Sequence, residues 1–274
     1  MPILFELKSK PGLPLDVRNL VPDSVKEMTP TQIGNLEIGL GNRSVPVSQW
    51  FDVSGESGDA EVVFQGSLEN VHAIGHSMSC GKIEVRGSTG RHVGASMSGG
   101  EIVVDGDVSD YPGYEMQGGT IVVRGDAGDH VGGCYPGAKY GMNRGVILIA
   151  GSAGKGLGYR MRRGTIVVGG DVADHTAWQM RAGTIIVFGK CSGWVGVDMR
   201  RGTIIVQESF PMPQTFAEGP QVVVPVVAML DRWLAGVCDR YGISVPSIAA
   251  SSVRTWHGDA LAGGRGELLV AMTR

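Results

Sequence analysis

The chain repeats itself every 19 residues, and this period constrains its fold more than any other feature of the sequence. The pattern G-x-I-x-V-x-G begins at Gly81 (GKIEVRG), Gly100 (GEIVVDG), Gly119 (GTIVVRG), Gly145 (GVILIAG), Gly164 (GTIVVGG), Gly183 (GTIIVFG) and Gly202 (GTIIVQE). A weaker unit, AEVVFQG, starts at Ala60. From Gly81 onward every step is 19 residues except that from Gly119 to Gly145, which takes 26. Methionine keeps the phase as Met78, Met97, Met116, Met142, Met161, Met180 and Met199. So does a second glycine at Gly94, Gly113, Gly132, Gly158 and Gly196, replaced by alanine only at Ala177.

Each unit carries one short β-branched strand bounded by glycines, and such a strand has no partner inside its own unit. Stacking each strand in parallel on the next, about 4.8 Å away, supplies that partner and piles like residues into ladders. The fold expected is mainly β: a right-handed, single-stranded parallel β-helix of about 19 residues per turn, with an α-helical C-terminal segment. A propeller needs longer units with several strands each. Alternation directs the Ile column and the following Val/Ile column inward, and methionine fills the opposite wall. Glycines take the corners. The organisation expected is an N-terminal cap and lead-in coils over 1–59, read as strands and turns, parallel β-helix repeats over 60–208, and a linker, helix and C-terminal cap over 209–274. Residues 226–241 place Val227, Leu230, Leu234, Val237 and Tyr241 at helical spacing, with Gly242 as the stop. The tail GRGELLVAMTR is a candidate final strand.

Glycine, at 44 of 274 residues, is about twice as common as usual, while 42% apolar content excludes a disordered glycine-rich tract. A net charge of −3 gives no reason to expect nucleic acid. The start lacks a basic, then apolar, leader, and the longest apolar run, VVVPVVAML, is too short to span a bilayer; a soluble, cytoplasmic chain is expected. Cys80, Cys134, Cys191 and Cys238 fit no metal or redox spacing and read as reduced, core-like thiols.

The columns that resemble chemistry have bland readings. His92, His130 and His175 share a column, but Tyr111 and Gly156 intervene, so successive histidines lie two turns apart, roughly 9–10 Å, too far for one ion. They read as stacked rings at a turn. Asp107 and Asp126, and likewise Asp110 and Asp129, sit on adjacent turns at about 5 Å, the spacing of a retaining glycosidase pair. Aspartate after glycine is also ordinary turn chemistry. The broken threonine column, Thr120, Thr165, Thr184 and Thr203, reflects β-propensity. No nucleophile elbow, phosphate loop or zinc helix occurs.

Three surface features carry more information. An outward ladder of Val103, Val122, Leu148, Val167, Ile186 and Ile205 is apolar, with only Glu84 polar, and requires a cover from the C-terminal helix or a partner. A basic ridge of Arg144, Arg162, Arg163, Arg181, Arg200 and Arg201 precedes the repeat glycines. Stacked cations repel, so the ridge either meets carboxylates of a partner or an anionic ligand, or is a solvated edge that blocks aggregation. The seven-residue insertion falls within 133–141 and carries Tyr135, Lys139 and Tyr140. It must loop outward, because an insertion in a strand would flip every inward side chain. Its residues fit a docking surface as well as a plain surface loop.

The tandem GGTIVVRGDAGDHVG, MRRGTIVVGGD and MRRGTIIV units, the YPGAKYGM interruption and the closing HGDALAGGRGELLV resemble the C subunit of formylmethanofuran dehydrogenase and that of its bacterial relative, the formyltransferase/hydrolase complex. The repeat alone also resembles the C-terminal domain of the glutamate synthase large subunit. The resemblance implies a β-helical scaffold without a catalytic residue or cofactor of its own. It implies a complex that moves a formyl group from a tetrahydromethanopterin carrier to a methanofuran-type carrier with a glutamate-rich tail, and then to formate. Its partners would be the amidohydrolase-like A subunit, the B subunit and the formyltransferase D subunit, with metal and catalysis on the metal-dependent amidohydrolase and the formyltransferase. In the dehydrogenase relatives a molybdenum- or tungsten-containing subunit takes part. A carbohydrate-active enzyme using Asp107 and Asp126 is the competing reading from another class.

Overall fold

The computed structural model describes residues 1–56, 58, 60–208, 210–248 and 252–271. Among them the chain is mainly β, organised around a thirteen-stranded mixed sheet. Its centre is the repeat: β6 (Glu61–Gln65), β8 (Lys82–Arg86), β9 (Glu101–Val104), β10 (Thr120–Val123), β11 (Val146–Ile149), β12 (Thr165–Val168), β13 (Thr184–Val187) and β14 (Gly202–Val206). Each lies parallel to the next with no slip of register, so Ile83, Ile102, Ile121, Ile147, Ile166, Ile185 and Ile204 form one continuous column. A second parallel ladder of single bridges runs beside it through Leu68, Thr89, Val108, Ala127, Ala153, Val172 and Cys191.

Both ends of the sheet are extended by strands from elsewhere. β1 (Ile3–Leu7) adds in parallel to β6, and β5 (Phe51–Ser54) closes that edge antiparallel. Phe5, Phe51 and Phe64 pack there as a buried aromatic plug, with Phe5 stacked on Phe64 at 4.9 Å. A smaller sheet joins β2 (Leu15–Asp16), β3 (Glu37–Leu40), β4 (Arg43–Pro46) and β7 (Val71–His72). The short helices α1 (Pro22–Val25), α2 (Pro30–Gly34) and α3 (Val47–Trp50) fill the lead-in region, and the sequence pattern alone, read there as strands and turns, missed them. At the far end β15 (Ala217–Val222), β16 (Val253–Gly258) and β17 (Gly266–Ala271) continue the sheet. β17 lies parallel on β14 with Gly202 opposite Gly266, so the expected final strand is present up to residue 271. Residues 272–274 of that tail lie outside the described residues.

The inward Ile and Val columns and all seven methionines of the repeat are buried in one core. Methionine and glycine interlock within it. A Cβ placed on Gly119 would stand 2.6 Å from Met97 Cε, and the same relation links Gly100 to Met78, Gly164 to Met142 and Gly202 to Met180. The missing side chain is the seat of the neighbouring methyl group, which explains why the two columns share one phase.

The outward apolar ladder is covered by the chain itself. Val122, Leu148, Val167, Ile186 and Ile205 are buried against α4 (Pro225–Tyr241) and the segment after it, in a cluster with Val227, Leu234, Cys238, Ile243 and Ile248. The helix begins with Pro225 and ends at Gly242, whose left-handed φ of 60° makes the stop. Its other side leaves Val226, Met229 and Trp233 exposed. Among the described residues no helix is long and apolar enough to cross a membrane.

Candidate functional site

The carboxylate column is committed to backbone. Asp107 Oδ1 accepts from the amide of Asp126 at 2.8 Å, and Asp126 Oδ1 accepts from that of Ser152 at 2.7 Å. Asp110 does the same for Asp129 at 3.0 Å, and Asp129 for Lys155 at 2.7 Å. Ser88 and Ser152 hydroxyls take the role where aspartate is absent. Each side chain thus fastens one unit to the next at a corner, where the backbone amide lacks a strand partner. The pairwise spacing that resembles a hydrolase arises from this hydrogen-bonded staircase.

The histidine column is a ring stack from His92 to His130, whereas His175 stands outside it, tilted at 58° to the Trp178 ring at 5.6 Å. His92 lies on Tyr111 at 5.0 Å and 13°, and Tyr111 on His130 at 5.5 Å and 6°. His92, Tyr111, His130 and His175 all hold left-handed backbone at φ between 61° and 66°. Glycine was the only signal for such corners in the sequence, so these non-glycine corners went unseen there. Among the described residues no group of three or more His, Cys, Asp or Glu side chains could hold a metal ion.

Burial holds the half-buried His72, His76 and His92 below the ordinary imidazole range, helped by Arg91 beside His72, Arg18 beside His76 and His72 beside His92. An unfolded chain takes up these protons near pH 6.5, before the folded one does, so it binds more protons in that window. Stability is then complete above about pH 6.5 and declines as pH falls through and below it. We expect the melting temperature to hold between about pH 8 and 7 and to fall towards pH 5, with His92→Gln flattening the fall. A wild-type curve that is level across this range would contradict the assignment.

The insertion loops outward as the spacing requires. The amide of Met142 donates to Gly132 O at 2.8 Å, closing the detour at its base, and β10 meets β11 in register. The loop then folds back on its own chain. Tyr114 Oη donates to Cys134 O, the Tyr135 hydroxyl meets His92 Nδ1 at 3.0 Å, and Arg160 Nη1 donates to Ala138 O at 2.9 Å. Tyr135 remains 41% exposed and Tyr140 is half-buried, so the loop is anchored yet presents a surface. Lys139 is exposed, and its ammonium sits 5.3 Å from the Tyr140 ring.

The basic ridge divides. Arg162 lies over the Tyr140 ring at 4.8 Å, which ties it to the insertion. Arg144 and Arg163 are exposed and stand apart from the groove at the far end. Arg181, Arg200 and Arg201 do line that groove, of about 500 Å³, together with Arg265. Arg265 precedes Gly266 as Arg201 precedes its partner Gly202. Sequence reasoning missed Arg265, although GRGELLV copies the RRGTIIV pattern 64 residues later. A larger groove of about 640 Å³ by the end of α4 contains both signs of charge, and they neutralise each other: Arg240 pairs with Glu101, and Arg124 with Asp105 at 3.2 Å.

Three of the four thiols are buried, and burial pushes Cys134 up to about 11 and Cys191 up to about 12. Cys80 departs from the expected core thiol: it is exposed and donates to Asp23 Oδ1 at 3.2 Å. That carboxylate also receives the Ser79 amide and hydroxyl.

The profile of the GXGXG motif family matches residues 65–224, more than half of the chain. A chain of the formyltransferase/hydrolase complex FhcABCD from Methylorubrum extorquens, solved by X-ray crystallography in complex with methylofuran, superposes with a TM-score of 0.87. It is 32% identical, and the alignment covers 98% of this chain and 100% of that one. This chain belongs to the GXGXG family, on the C-subunit branch of these formylmethanofuran-related complexes. Other C-subunit relatives match in part. That of tungsten-containing formylmethanofuran dehydrogenase 2 from Methanothermobacter wolfeii is 37% identical over 95 residues, which is 33% of this chain and 35% of the relative. That of molybdenum-containing formylmethanofuran dehydrogenase 1 from Methanosarcina barkeri is 40% identical over 83 residues, 29% of this chain and 28% of the relative. The chain thus spans only about a third of the length of the curated C-subunit proteins it matches.

Proposed function

We propose that this chain is the non-catalytic scaffold subunit of a formyltransferase/hydrolase complex, with its repeats wound as a right-handed parallel β-helix. In this reading the complex takes a formyl group from a tetrahydromethanopterin carrier, through a formylated methanofuran-type carrier, to formate. The metal and the chemistry belong to the amidohydrolase-like and formyltransferase subunits, with the B subunit as a further partner. The observation that carries the reading is the likeness, over 98% of this chain, to a chain of a complex with that activity in its name. The two in-register ladders support the winding, since one strand and one bridge per unit recur along the whole repeat. A scaffold also agrees with aspartates and histidines that are spent on corners and stacking. The insertion with Tyr135, Lys139 and Tyr140, and the exposed apolar side of α4, are the surfaces this reading assigns to partner subunits.

The test is purification of the chain from its native source at low salt, with co-purifying proteins identified by mass. We expect an amidohydrolase and a formyltransferase in fixed ratio with the chain. Recovery with a molybdenum- or tungsten-containing subunit would replace the hydrolytic assembly with the dehydrogenase one. Recovery of the chain alone, with hydrolytic activity lost in Asp126→Asn, would overturn the scaffold role.

A further inference from the structure

We propose that Arg181, Arg200, Arg201 and Arg265 form a cradle for a polycarboxylate chain, of the kind an acidic segment of a partner protein presents. The four guanidinium groups share one groove where β17 closes the repeat. Among the described residues no carboxylate forms an ion pair with any of them, whereas eight other arginine or lysine side chains are paired. Arg181 Nε is buried and has no hydrogen-bond partner among the described residues. A buried donor without an acceptor carries a desolvation cost, and an incoming anion removes it. Four cations in one groove also repel one another, and a facing anion relieves that repulsion.

Geometry selects the class of anion. Arg181 and Arg200 lie on adjacent units, and Arg265 immediately precedes the strand that pairs next, so the cations span two strand spacings, about 9–10 Å. One phosphate or carboxylate cannot reach across that ladder. An extended chain repeats its side chains on one face at about 6.6 Å, so two or three successive acidic residues can span it, and guanidinium forks take carboxylates in bidentate fashion. The groove of about 500 Å³ has room for such a segment. Asp259 positions the loop that carries Arg265. Its carboxylate is buried and accepts the amides of Asp198 and Leu261, both at 3.0 Å, and it forms no ion pair with the cradle arginines among the described residues.

The inference rests on the scaffold reading only for the source of the acidic segment, since the cradle itself is a property of this chain. The experiment therefore uses the full chain alone. A fluorescent hexaglutamate peptide is titrated at low salt into wild type, Arg200→Glu/Arg265→Glu, and Arg144→Glu/Arg163→Glu, which removes the same charge from the ridge outside the groove. We expect the first pair to weaken binding by about tenfold or more and the second by less than about twofold, with inorganic phosphate displacing the peptide only at far higher concentration. All four positions changed are exposed, so each variant is expected to keep the wild-type melting temperature. Equal losses in the two pairs would mean diffuse attraction and overturn the cradle. So would displacement by phosphate at concentrations equal to the peptide, which would mark a small-anion site. If the peptide binds as expected but the native chain purifies without partners, the cradle stands and the scaffold reading falls.

Discussion

Gly119→Ala is expected to destabilise the protein by about 2–5 kcal/mol, although it adds a single methyl group. Gly119 holds φ at +85°, where an L side chain costs about 1–2 kcal/mol by itself. The added carbon would meet Gly100 O at 2.7 Å, Gly99 C at 2.9 Å and Met97 Cε at 2.6 Å. The methionine can swing aside. The backbone cannot, because the Thr120 amide is already bonded to Gly100 O at 3.0 Å and the next strand bears on the other side. Gly137 supplies the contrast. It too is left-handed, at +89°, but nothing lies within 4 Å, so Gly137→Ala is expected to cost only the backbone share, about 1–2 kcal/mol. Thermal unfolding separates the two: a fall of roughly 5–15 °C for the first against a few degrees for the second. Equal shifts would mean that the close approach of the Gly99–Gly100 backbone contributes nothing.

Leu234→Ala is expected to loosen α4 from the sheet at a cost of about 2–5 kcal/mol. Leu234 is 1% exposed, in the cluster that covers Val122, Leu148, Val167, Ile186 and Ile205. Truncation leaves a cavity between a helix and a ladder of mostly β-branched side chains, which have few rotamers with which to refill it. Hydrogen exchange should then quicken through residues 225–241, while β10 to β13 stay protected, because their partners lie within the repeat itself. A dye that binds exposed apolar surface should gain signal, since the uncovered ladder is a contiguous patch. Unchanged exchange in the helix would show that its docking does not depend on this side chain.

The sequence displayed the features that depend on period. One strand per unit, the inward isoleucines, the buried methionines, the outward insertion and the helix stop at Gly242 all follow from side-chain size recurring in phase. The need to cover the outer ladder was also legible, because five or six apolar residues in a row on a surface have no other stable state. Features that depend on the meeting of distant segments were not. Nothing near Ile3 announces that it stacks on Val62, since a single short strand carries no phase of its own. Arg265 joined the basic groove for the same reason: its unit is separated from the others by a helix and a hairpin. The aspartate column was visible, but its use was not, because a carboxylate that staples a corner and one that attacks a substrate share the same spacing. Left-handed corners at His92, Tyr111 and Glu115 likewise look like ordinary residues in a sequence.

The closing strand has a consequence for how the protein is made. β14 ends at Val206, yet the strand that satisfies its free edge begins at Gly266. During synthesis the growing repeat therefore emerges with one edge open, and about sixty further residues must leave the ribosome before it is sealed. At roughly 5–20 residues per second, that edge is available to other chains for several seconds. The arginines beside it, Arg200 and Arg201, are exposed for the whole of this interval, and charged side chains at a sheet edge disfavour pairing with another chain.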